Sequence, residues 1–132
     1  MKVSDGTWDV RCPEKLRRLF PTRAGYYFRV DPVTAGKVLR ILSEAYQIPA
    51  PQLGVKPKEG GENALYEYDA RTVLLRSRNH LKTVFHEFYH HLDNMTDGVY
   101  DSDDREGGST SFAWMFADKL WQKFTEKISD MS

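Results

Sequence analysis

An eleven-residue stretch constrains this chain most: Lys82-Thr83-Val84-Phe85-His86-Glu87-Phe88-Tyr89-His90-His91-Leu92. Within it, His86-Glu87-Phe88-Tyr89-His90 matches H-E-x-x-H. Residues four apart on a helix share one face, so His86 and His90 can turn two imidazole nitrogens toward one Zn²⁺. Glu87 is rotated about 100° from His86, which sets it beside a metal rather than on it, as a base for a metal-activated water. The helix has its own warrant. Leu81, Val84, Phe85, Phe88, Leu92 and Met95 recur at three- and four-residue steps and predict a buried stripe. His86, His90 and Asp93 fall together on another face, so the histidines are expected to look away from the core, toward a cleft. Asn79 is the expected N-cap and Asp97-Gly98 the expected stop.

A catalytic zinc takes three protein ligands and an open position for water. All four histidines lie between His80 and His91, so carboxylates must complete any ligand set. Glu106 is the expected third ligand, sixteen residues after His90 at the head of the next helix. Asp101, Asp103 and Asp104 compete for that role, and Asp93 is a candidate to orient a ligand histidine through a hydrogen bond. Adjacent helix positions point about 100° apart, which argues against His91 as a ligand beside His90. In the chemistry this set supports, Glu87 takes a proton from a zinc-activated water and returns it to the leaving amine. A further donor would stabilise the oxyanion: Tyr100, His91 and Tyr89 are the candidates, with Tyr100 favoured because its loop joins the two ligand-bearing helices. The aspartates of residues 97–104 lack the spacing and terminal glutamate of a calcium loop, so capping and loop solubility account for them.

The length of 132 residues sets one domain, 1–132, whose first thirty residues have no role the sequence assigns. Lys+Arg and Asp+Glu both number 19, so net charge gives no argument for a nucleic-acid or membrane partner. Cys12 is the only cysteine, which excludes an internal disulfide and a Cys-type zinc site and fits a reducing compartment. With no apolar run near eighteen residues and no hydrophobic segment after Met1-Lys2, an intracellular, cytoplasmic protein is expected.

The remaining elements read as α+β. Pro13–Phe20 suits a short helix, and Arg23–Val30 an extended, aromatic segment. Asp31-Pro32 opens a helix over Val33, Val38, Leu39, Ile41, Leu42 and Tyr46 that ends before Pro49 and serves as a scaffold across the sheet. Gln52–Lys56 is β-like, and Ala64–Asp69 and Thr72–Arg76 form a hairpin around Asp69-Ala70-Arg71. The last helix, from about Arg105 to Ile128, has Phe112, Ala113, Phe116, Leu120, Phe124 and Ile128 as its core stripe. Trp114 and Trp121, seven apart, share a second face expected to pack on the sheet or the N-terminal segment. Gly107 and Gly108 would allow close approach to the motif helix or clear room above the metal.

These residues resemble a family. H-E-x-x-H followed by a glutamate on the next helix resembles the gluzincin metallopeptidases. The finer pattern, Thr83-Val84-Phe85-His86-Glu87-Phe88-Tyr89-His90-His91-Leu92 and then Glu106-Gly107-Gly108-Ser109-Thr110-Ser111-Phe112-Ala113, is similar to the ImmA/IrrE-type zinc proteins and the very small minigluzincins. The resemblance covers about residues 62–124. It implies a zincin-like α+β fold with a small antiparallel or mixed sheet, an active-site helix and a C-terminal glutamate helix. Tyr89 stands where those proteins have a small residue, Ser109 stands where they have alanine, and the spacing to Glu106 is short. The expected function is a zinc metallopeptidase acting on a protein or peptide substrate, of narrow specificity or latent. Strand Thr72–Arg76 would offer its edge to the substrate, and Lys127–Ser132 could occlude the site. The alternative is a non-catalytic zinc-binding regulatory protein with the same ligands, and beyond that a metal-free domain carrying the motif by chance.

Overall fold

A computed structural model describes residues 10–20, 29–55, 64–96 and 108–130, with the backbone alone at 108–111 and 127–130. The elements run α1 (Glu14–Arg18), β1 (Arg29–Val30), α2 (Pro32–Ala45), β2 (Gln52–Val55), β3 (Leu65–Glu67), β4 (Thr72–Leu75), β5 (Asn79–His80), α3 (Leu81–Met95) and α4 (Gly108–Asp130). The class is α+β, as the sequence predicts. Among the described residues no helix is long and apolar enough to cross a membrane.

The anticipated hairpin forms: β3 and β4 pair antiparallel, with Tyr66 opposite Val73. Arg71 closes it in the left-handed region, at φ 50°. β2 adds to the other side of β4 in parallel, Leu53 opposite Val73 and Val55 opposite Leu75, which makes a mixed sheet of order β2-β4-β3. This corrects the expectation that Thr72–Arg76 offers an edge. β4 is the central strand, and its Val73 and Leu75 are fully buried. A separate two-residue ladder joins β1 to β5, with Val30 opposite Asn79.

α2 starts as its sequence dictates. Asp31 caps it by accepting from the Thr34 amide at 2.8 Å, and Pro32 takes the first helical position. Val38, Leu39, Leu42 and Tyr46 are buried, whereas Val33, expected in that stripe, is 67% exposed at the first turn. α2 packs chiefly on α3 rather than across the sheet, reaching the sheet's rim where Gly36 approaches Leu53 of β2.

α3 is the centre of the molecule. Of its predicted apolar stripe, Leu81, Val84, Phe85, Phe88 and Leu92 are buried and Met95 is partly so, but Thr83, His86, Glu87, Tyr89, His90, His91 and Asp93 are buried as well. A helix covered on all sides cannot be recognised by one apolar stripe. The polar face is closed by the β3–β4 hairpin on one flank and by α4 on another. His80, not Asn79, caps α3, its Nδ1 accepting from the Lys82 amide at 3.1 Å. Asn79 belongs to β5. Its side chain accepts from the Arg76 amide at 2.9 Å and donates to the carbonyls of Arg76 (2.7 Å) and Val30 (3.2 Å). The helix ends at Met95, where the Thr96 hydroxyl turns back to the Leu92 carbonyl at 2.7 Å.

α4 runs back along α3. His80 meets Trp121 and His86 meets Trp114, while an ion pair between Lys82 and Asp118 joins the two helices. Ala113, Phe116, Ala117, Leu120 and Phe124 are buried between them and α2, with Tyr46 and Phe88 ringed around Phe116. Trp121 therefore packs on His80, the β5 residue that caps α3, and Trp114 on His86 in the middle of α3. Their seven-residue spacing matches two turns of the facing helix.

Candidate metal centre

His86, Glu87 and His90 form a group whose ligating atoms all lie within 4.8 Å of one another. The geometry follows from α3: the i, i+4 step brings the Nε2 atoms of His86 and His90 to 3.2 Å. Two nitrogens bound to one tetrahedral zinc at its usual bond length stand about 3.3 Å apart. Glu87 Oε2 lies 3.8 Å from His86 Nε2, beside the pair, as its rotation on the helix requires. The donor set of two imidazoles and a carboxylate suits a borderline-soft divalent cation.

The site is more enclosed than the sequence predicts. His86 is 7% exposed and His90 8%, so neither looks into an open cleft. Burial lowers the pKa of both to about 4, and for His86 the neighbouring His90 adds to the shift. Both rings are neutral at pH 7, the form that ligates metals. Trp114 forms the wall on the α4 side. Its ring centroid lies 4.1 Å from that of His86, and the residue is 42% exposed, so the indole separates the buried imidazole from solvent.

Around the pair is a layer of polar side chains that sequence reasoning missed. His90 Nδ1 is 2.9 Å from the Tyr68 hydroxyl, and that hydroxyl donates to Asp93 Oδ2 at 3.3 Å. Asp93, the candidate for orienting a ligand histidine, is joined to His90 through the Tyr68 hydroxyl. Next along the helix, His91 Nε2 donates to the Pro49 carbonyl at 2.7 Å, since a carbonyl can only accept. Its Nδ1 must then accept from the Tyr66 hydroxyl at 2.8 Å. Asn94 Nδ2 donates to the Tyr66 oxygen (3.0 Å) and to the Tyr68 carbonyl (2.9 Å), fastening the hairpin to α3. Both His91 nitrogens are therefore engaged, which removes it as an oxyanion donor and agrees with its exclusion as a ligand. Tyr89, the other expected donor, is fully buried against Phe116, pointing into the core.

Glu106 and Tyr100 lie outside the described residues, as do Asp101, Asp103 and Asp104. The same holds for Asp97-Gly98 and for the aromatic segment 21–28. Comparison of the chain with protein-family models, with curated proteins and with solved structures finds no match.

Proposed function

We propose that this chain is a zinc-dependent metallopeptidase of the gluzincin type, hydrolysing a peptide bond in a protein or peptide substrate. The observation that carries the reading is the 3.2 Å approach of His86 Nε2 to His90 Nε2, with Glu87 Oε2 3.8 Å from the first. His86 and His90 would hold the ion, and Glu106 is proposed as the third ligand on the sequence pattern alone. When bound, zinc lowers the pKa of water to about 7 and polarises a carbonyl. Glu87 accepts the water's proton at its carboxylate and delivers it to the leaving amine, and a carboxylate suits both transfers. Tyr100 is the proposed oxyanion donor. A small mixed sheet feeding the motif helix, with a second helix folded back on it, supports a zincin-like architecture. With β4 central, an extended substrate is assigned instead to β3, whose outer edge pairs with no strand among the described residues and which packs on α3.

The burial of both histidines favours a second reading, in which the same ligands hold a zinc that stabilises a regulatory or binding protein. Retention of Glu87, which a structural zinc does not need, speaks for the first. The two separate on one pair of experiments. Metal content per chain, for wild type and Glu106→Ala, should show about one zinc in the former and marked loss in the latter; full occupancy in Glu106→Ala would move the third ligand elsewhere. Wild-type cleavage of a peptide library, absent in a zinc-loaded Glu87→Gln, identifies the peptidase. Zinc bound without cleavage in either identifies the regulatory protein, and no zinc in the wild type removes both.

A further inference from the structure

We infer that Tyr68 is a positioning residue that fixes the tautomer of His90, holding its Nε2 lone pair toward His86. The inference rests on the metal reading for its purpose, but not for its geometry. Tyr68 sits at the hairpin turn, 22 residues before His90 in sequence, and carries a single hydroxyl proton. Its hydroxyl oxygen lies 2.9 Å from His90 Nδ1 and 3.3 Å from Asp93 Oδ2. A carboxylate cannot donate, so the hydroxyl proton goes to Asp93, where the bond is charge-assisted. The Tyr68 oxygen is left as an acceptor, and the hydrogen between it and the imidazole must come from His90 Nδ1. With Nδ1 protonated in a neutral ring, Nε2 is bare, and Nε2 is the atom that faces His86.

His91 supplies an internal contrast. The Pro49 carbonyl takes its Nε2 proton at 2.7 Å, and the Tyr66 hydroxyl donates to its Nδ1. Adjacent histidines are thus held in opposite tautomers by two tyrosines of one hairpin. Only the Tyr68–Asp93 arrangement leaves a lone pair on the metal side. The outer partners of metal-bound histidines characteristically set ring orientation and ligand basicity in this way, and their loss costs about 10–100-fold in metal affinity.

The test reads the tautomer in zinc-free protein and the affinity separately. Two-bond proton–nitrogen correlation spectra of ¹⁵N-histidine-labelled protein distinguish Nδ1–H from Nε2–H rings. Wild type should show His90 as Nδ1–H and His91 as Nε2–H. Tyr68→Phe keeps the ring and removes the oxygen; His90 should shift toward Nε2–H, His91 should not move, and zinc affinity by chelator competition should fall about 10–100-fold. Asp93→Asn, nearly isosteric, serves if Tyr68→Phe does not fold, because an amide can donate to the tyrosine oxygen and releases the direction of the relay; a mixed His90 tautomer is expected there. An unchanged His90 tautomer in Tyr68→Phe, or unchanged zinc affinity, would overturn the inference. Nε2–H at His90 in a wild type that does bind zinc would overturn the relay alone. An Nδ1–H ring in a protein that takes no zinc would overturn the metal reading and the purpose assigned to Tyr68.

Discussion

His86 Nε2 and His90 Nε2 stand 3.2 Å apart on consecutive turns of α3, within about 0.2 Å of the spacing that a shared tetrahedral zinc imposes. The spacing of the candidate ligand pair is set by the helix itself rather than by a loop. Replacing either histidine with alanine should abolish stoichiometric zinc uptake, measured as metal per chain after dialysis against zinc and removal of excess. Retention of near-stoichiometric zinc in either variant would place the ion elsewhere.

Glu87 is expected to separate binding from chemistry. Glu87→Gln preserves shape while removing the base, so zinc content should match wild type while peptide hydrolysis falls by about 10²–10⁴. Comparable cleavage by the variant would assign the proton transfers to another group.

Trp114 should report the metal. Its indole lies 4.1 Å, centroid to centroid, from the His86 ring, so a cation placed on that imidazole changes the field at the fluorophore. Zinc titration is expected to alter tryptophan emission in the wild type and to leave Trp114→Phe nearly silent, although Trp8 and Trp121 remain. Equal responses from the two proteins would dissociate the stack from the site.

Acid should destabilise the metal-free protein through the same pair. Folded His86 and His90 have pKa values near 4, against about 6.5 in an unfolded chain. Between those values the unfolded state binds more protons, so stability falls as pH drops from about 6.5 toward 4. Urea midpoints measured with chelator at pH 7 and pH 5 should show this loss, and the double variant His86→Phe/His90→Phe should reduce it, His80 and His91, whose pKa values burial also lowers, keeping the remainder. A flat wild-type profile would mean the rings protonate freely in the folded state.

His91 is expected to matter for stability and not for zinc. His91→Phe removes the acceptor of the buried Tyr66 hydroxyl and the donor to the exposed Pro49 carbonyl, at a cost of about 1–3 kcal/mol. Denaturant unfolding should show that loss while zinc affinity in the folded protein stays within a few-fold. A collapse of zinc affinity with stability intact would reverse the assignment.

The sequence made the motif helix legible because its signal is local. Four residues separate His86 from His90, Asp31-Pro32 announces α2 by capping chemistry alone, and the hairpin shows as two β-favouring runs around one turn. What stayed hidden depends on distant partners. Tyr66 and Tyr68 read as ordinary strand and turn residues until the hairpin folds onto α3, 22 to 28 positions later. Asn79 has the composition of a helix cap, yet pairing of β5 with β1 recruits it into a ladder with a strand 49 residues earlier, and His80 takes the cap. The outward view expected for the histidines failed for the same reason. A polar helical face predicts solvent only if nothing covers it, and here Tyr66, Tyr68 and Trp114 do. β4 was read as an edge because its parallel neighbour β2 arrives across a connection whose pairing leaves no local pattern.

The burial of twelve of the fifteen residues of α3 would couple metal capture to the stability of the domain. A metal bound by a surface helix can come and go while the domain endures. Here the candidate ligands lie on the helix that α2, α4, β3 and β5 all contact, so an ion captured there would share one equilibrium with the native state. Bound zinc would add RT ln(1 + [Zn]/Kd) to the free energy of unfolding. The survival of this chain among cellular proteases would then track the free-zinc level around it, making abundance itself a readout of metal supply.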